Sequence, residues 1–202
     1  MSSGAVMIDV LGVVLFALSM SITPGPNNVM VTASGANFGF ARTVPHMAGI
    51  ALGFPLMLVA VGLGLGGVFT AYPAVHQVMK FAGAAYLVSM AWRIATATPA
   101  GDADRRSRPL TFLEAAAFQW VNPKAWIIAL GALTTYTRVG GDMLVESLAI
   151  AGIFMPASFL SVTAWALFGL ALRRLLTAPA ALRAFNVGMA VLLVLSLVPL
   201  FI

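Results

Sequence analysis

Long apolar runs separated by short polar breaks dominate the chain. A membrane-spanning helix needs roughly 20 mostly apolar residues. On that measure the pattern predicts six spans, at about 10–31, 47–71, 78–94, 112–136, 144–172 and 182–201. One clearly polar interruption, "ATATPAGDADRRSRPLT" at 95–111, divides them three and three. The reading is an all-α membrane protein with a single transmembrane domain over 1–202. Its first repeat covers about 1–96, a cytoplasmic linker about 97–109, and its second repeat about 110–202.

The halves read as copies. Pro24 in "TPGPNN" corresponds to Pro123 in "VNPKAW", Pro55 in "ALGFPLML" to Pro156 in "AGIFMPASF", and Gly83 in "KFAGAAYLV" to Gly188 in "FNVGMAVLL". Their order is kept and their spacing drifts slowly. A unit of three spans has odd parity, so its copy enters the membrane from the opposite side. That is an inverted-topology repeat, an architecture of many secondary transporters.

Lys and Arg set the orientation. Arg42, Arg93, Arg105, Arg106, Arg108, Arg173, Arg174 and Arg183 flank loops one, three and five, whereas Lys80 and Arg138 stand on the other side. The positive-inside rule then places those three loops in the cytoplasm and both termini outside. The N-terminal run has no Lys or Arg before it, unlike a secretory signal peptide, so it reads as a retained first span.

Composition agrees with the pattern. Hydrophobic residues make up 61% and charged residues 8% of the chain, against about 25% charged in soluble domains. A net charge of +5 is explained by the loops between spans, which removes nucleic acid as a partner and leaves the lipid bilayer. There is no cysteine, so thiolate chemistry and CxxC metal sites are excluded.

Two spans carry breaks. Pro24 lies about 20 Å and Pro123 about 17 Å along their helices at 1.5 Å per residue, close to the middle of a core about 30 Å thick. Proline removes a donor and frees a carbonyl one turn back. Such groups are tolerated in a membrane only where protein buries them or where they line a polar cavity. Paired interruptions in two halves point to a transporter's binding site. Pro24, Gly25, Pro26, Asn27 and Asn28 in the first half, with Asn122, Pro123 and Lys124 in the second, are the candidate substrate-binding residues. Lys124 is the ionisable side chain this reading places deep in a span, and a charge there costs at least about 2.5–3.5 kcal/mol. A zwitterionic small molecule suits the set. Its carboxylate would meet Lys124 and a half-helix N-terminus, and its ammonium the freed carbonyls and the Asn oxygens. Against this stands the plainer reading that proline kinks shape packing and Asn joins helices.

Asp9, at the outer edge of span one, and Glu114, one turn into span four, are the possible coupling carboxylates. Each also has an ordinary explanation, as an interfacial charge or a helix-N-terminal one. His46 and His76 fall in loops on opposite sides, with no ligand partner near either. The scarcity of carboxylate, His and Cys in the spans argues against a metal site, and no cofactor is implied. The Gly49–Gly53 GxxxG reads as close helix packing, within one protomer or in a homodimer. Trp120 and Trp126 flank the second break, where one of them could line a cavity.

"TPGPNN", "FGFARTVPHMAGIALGF", "KFAGAAYLVSMAWRI" and "FQWVNPKAW" together resemble the LysE/RhtB amino-acid exporters over nearly the whole chain. "AGAAYLVSMAWRIAT" and "FQWVNPKAW" are most similar to the cysteine/O-acetylserine exporter branch. The resemblance implies a secondary transporter of the bacterial inner membrane that expels amino acids or their derivatives, driven by protons, by alternating access. It carries the family's hallmark positions onto Pro24, Gly25, Pro26, Asn27, Asn122, Pro123 and Lys124, with Gly39, Gly49, Gly53, Gly83 and Tyr86 also fitting. A passive channel, or a transporter of another small solute, is the alternative. An intramembrane enzyme lacks its motifs, since GxSxG, HExxH and acidic pairs within the spans are missing.

Overall fold

The computed structural model describes residues 8–97, 108–198 and 201. Most of the linker predicted at 97–109, including Arg105 and Arg106, lies outside these residues. So does part of the chain before the first span.

The described chain is helical throughout. In order come α1 (Val10–Ile22), α2 (Pro26–Phe38), α3 (Phe40–Ala60), a π turn (Val61–Leu65), α4 (Gly66–Ala71), α5 (Pro73–Ala95), α6 (Phe112–Phe118), a 3-10 turn (Gln119–Val121), α7 (Pro123–Tyr136), α8 (Met143–Leu175) and α9 (Pro179–Leu195). Helix starts follow local chemistry. Pro opens α2, α5, α7 and α9, where its missing N–H costs nothing. Asp9, Asn122 and Asp142 cap α1, α7 and α8, and Thr111 with Glu114 forms a capping box on α6.

Among the described residues, two helical stretches, Phe40–Leu65 and Met143–Leu175, are long and apolar enough to cross a membrane. The pair α1 and α2 makes a third if counted as one span bent by 55°. The first interrupted helix runs further than its hydropathy predicts. Helix persists to Phe38 and turns at Gly39, whose φ of 83° favours glycine, and α3 begins at Phe40. Arg42 and His46 therefore belong to α3 and not to a loop. His46 is 1% exposed, so the loop predicted for it is corrected. His76 lies on α5.

Each half contains an interrupted helix, a long helix and a final helix, in that order. The long helices pack on the interrupted helix of the opposite half: α8 lies against α1 and α2, and α3 against α6. The final helices, α5 and α9, pack on each other. Glycines permit these crossings. Gly35 on α2 approaches the Ala166 carbonyl of α8, and Gly169 on α8 that of Thr32 on α2. Gly49 on α3 approaches the Phe112 carbonyl, and a Cβ on Gly53 would meet Ala116 Cα at 2.6 Å. The GxxxG is thus a contact inside one chain. Gly83 sits against the Val121 carbonyl, whereas Gly188, its counterpart in sequence, has open space. That pair matches in position but not in packing.

Candidate functional site

Helix α1 stops at Ile22 because Pro24 cannot supply the next donor, and α2 restarts at Pro26. In the second half α6 tightens into its 3-10 turn and α7 restarts at Pro123 with Asn122 as cap. The two restarts meet. A Cβ placed on Gly25 would lie 2.6 Å from Lys124 Cδ, so a side chain there would displace the lysine stem from the first break.

Four carbonyls at the end of α1, those of Ser21, Ile22, Thr23 and Pro24, accept from side chains. Ser21 O accepts from Asn28 Nδ2 at 2.9 Å and from Ser161 Oγ at 2.7 Å. Ile22 O accepts from Trp165 Nε1 at 3.2 Å. Thr23 O accepts from Asn28 Nδ2 at 2.9 Å and from Lys124 Nζ, which also reaches Pro24 O at 3.3 Å. Lys124 thus places its ammonium at the C-terminal end of α1, where the helix dipole favours a cation. Asn27 and Gln119 pair through their amides. Asn122 Oδ1 accepts from the Lys124 N–H at 3.1 Å.

A narrow pocket of about 50 Å³ opens between the breaks. Gly25, Asn27 and Asn28 line it from one half, and Gln119, Asn122 and Lys124 from the other, over an apolar floor that includes Phe54 and Phe154. Small-molecule sites are built this way, with an apolar wall and a few convergent polar groups. The N-terminal ends of α2 and α7 both abut it, and helix N-termini attract anions. Pro24, Pro26 and Pro123 shape the restarts.

Asp9 and Glu114 stand apart from this pocket. Asp9 caps α1 through the Gly12 N–H at 2.9 Å. Glu114 closes the α6 capping box and pairs with Arg108 through two contacts of 2.6 Å. Neither Trp120 nor Trp126 lines the pocket; the Trp126 indole donates to the Trp120 carbonyl at 2.8 Å.

Sequence reasoning passed over Gln119, Ser161 and Trp165. Ser158 and Ser161, three apart in the middle of α8, were the available signal, since that spacing puts both on one helix face. It also passed over Glu146, which is wholly buried and held by Arg138 at 2.8 Å.

A helical membrane protein whose two interrupted helices meet at a polar pocket has the plan of a solute translocator, not of an enzyme. Residues 18–200 match the family described as LysE type translocator, and the chain belongs to that family. It is similar to the cysteine/O-acetylserine efflux proteins of Escherichia coli strain K12 and of Shigella flexneri serotype 5b strain 8401. Each is 31% identical over 187 residues, covering 92% of this chain and 94% of the relative. No solved structure matches.

Proposed function

We propose that the protein exports amino acids or amino-acid derivatives of the cysteine and O-acetylserine class across the bacterial inner membrane. Proton coupling drives it, and substrate binds between the two breaks. Six spans form two inverted repeats, with both termini outside the cytoplasm, and the halves rock about the pocket in alternating access. The observation that carries this reading is Lys124, which reaches from the second break to the carbonyls of Thr23 and Pro24 at the first. One side chain therefore couples the two restarts. A substrate carboxylate arriving between the N-termini of α2 and α7 draws the ammonium from those carbonyls, and its own ammonium takes the lysine's place on them. Substrate occupancy would thereby change what holds the halves together. The repeated element order and the reciprocal packing of long on interrupted helices support the inverted repeat. The relatives' printed activity supports the substrate class.

The test is efflux from liposomes loaded with mixed amino acids, followed by mass spectrometry with and without a pH gradient. Saturable, gradient-accelerated release of a subset, lost in Lys124→Ala, is the expected result. Unsaturable release indifferent to the gradient would show a channel instead.

A further inference from the structure

A second cavity, of about 50 Å³, lies away from the breaks between α2, α3, α5 and the segment entering α6. Its polar lining comes from Ser34, Asn37, His46, Arg93 and Arg108. Four of these have partners. Ser34 pairs with Thr43 at 2.9 Å, and Asn37 exchanges two bonds with Asn186 at 2.7 and 2.9 Å. Arg108 is taken by Glu114, and Arg93 reaches the Arg108 carbonyl at 3.4 Å. His46 differs: it is 1% exposed, and neither Nδ1 nor Nε2 has a hydrogen-bond partner. A neutral imidazole brings one donor and one acceptor, and burying both unmet is unfavourable unless another state of the protein uses them.

Among the described residues, the carboxylates of the two breaks' surroundings and Lys124 are committed elsewhere. Asp9 caps a helix, Glu114 and Glu146 are ion-paired, and Lys124 holds carbonyls. Tyr86 Oη is also buried without a partner, but a phenol takes part in proton exchange far less readily than an imidazole. The charges around His46 are Arg93 on α5, Arg108 just ahead of α6 and Glu114 in its first turn; Arg42, on its own helix, lies over the Phe38 ring, and the α2 wall is uncharged. Glu114 is thus the carboxylate placed to receive an imidazolium once Arg108 lets go of it. Intramembrane His, Asp and Glu side chains mark proton relays in pumps and transporters.

We propose that His46 carries the transported proton, an inference that rests on the proton-coupled reading above. An open ring nitrogen binds one proton from outside, forming an N–H bond. The imidazolium turns to the Glu114 side, and the same proton leaves to the cytoplasm as one substrate molecule goes out. No other group changes its protonation over the cycle.

The full chain is sealed into vesicles with an acid interior, and uptake of radiolabelled cysteine under reducing conditions is compared with cysteine–cysteine exchange in the absence of a gradient. His46→Gln is expected to lose the gradient-driven accumulation and the pH dependence of the rate while exchange persists. Gradient-driven accumulation at the wild-type level in His46→Gln would overturn the assignment, as would equal loss of accumulation and exchange in both His46→Gln and His46→Asn. Wild-type protein that exchanges cysteine but ignores the gradient would sink proton coupling itself and His46 with it. Wild-type protein that does neither would sink the export reading.

Discussion

Asn27 and Gln119 hold each other by two side-chain hydrogen bonds, 2.9 Å from Asn27 Nδ2 to Gln119 Oε1 and 3.2 Å in the reverse direction. The pair ties the first turn of α2 to the 3-10 turn ahead of α7. Gln119 is fully buried and also donates to Ala115 O at 2.9 Å. Gln119→Leu keeps the volume and deletes every one of these bonds. It is expected to leave Asn27 unpaired at about 1–3 kcal/mol, lowering the melting temperature and raising KM for efflux.

Lys124→Arg is expected to transport as poorly as Lys124→Ala. The stem passes Gly25 at close range, and a planar guanidinium cannot replace a compact ammonium there. Efflux at matched membrane abundance decides. Wild-type rates in the arginine variant would show that only the charge matters.

The helix crossings separate glycines by what they touch. Gly49→Val and Gly169→Val push side chains into the carbonyls of Phe112 and Thr32. Overpacking of this kind costs about 1–3 kcal/mol, more where backbone is the obstacle. Gly188→Ala and Gly152→Ala meet open space, and substitutions free of such contacts stay within about 0.5 kcal/mol. Thermal unfolding in detergent should rank the first pair well below the second.

Arg138→Met strands the Glu146 carboxylate, which is wholly buried and would keep the Arg138 main-chain N–H, at 2.9 Å, but lose the guanidinium. The variant is expected to melt lower than wild type, and Arg138→Met combined with Glu146→Gln to recover part of the loss, because removing both charges is cheaper than leaving one. A double-mutant cycle on melting measures the coupling.

The contrast between α2 and the first break shows what could be read from sequence. "TPGPNN" and "VNPKAW" announce their interruptions because proline acts locally, whatever surrounds it. The second half of α2 was hidden. Thr32, Ser34 and Asn37 make "VTASGANF" look like a polar loop, yet all three are buried and bonded to α8, α3 and α9 partners. Hydropathy scores a polar atom without knowing who satisfies it, and satisfied polar groups can be buried. The same blindness ended span one early and put His46 in a loop. Gln119 escaped notice for a related reason. Its importance comes from a tightened turn that presents it to a residue distant in sequence.

The reciprocal packing of the long helices has a consequence for how the molecule comes into being. Neither half owns the surface that its interrupted helix needs: α1 and α2 lean on α8, and α6 on α3. A nascent chain that has emitted only its first half must keep α2's buried amides waiting for a partner not yet synthesised. Assembly is therefore completed late, by an interlock that closes only when both halves are in the bilayer. The first half expressed alone should be degraded, and should be rescued when the second is supplied as a separate polypeptide.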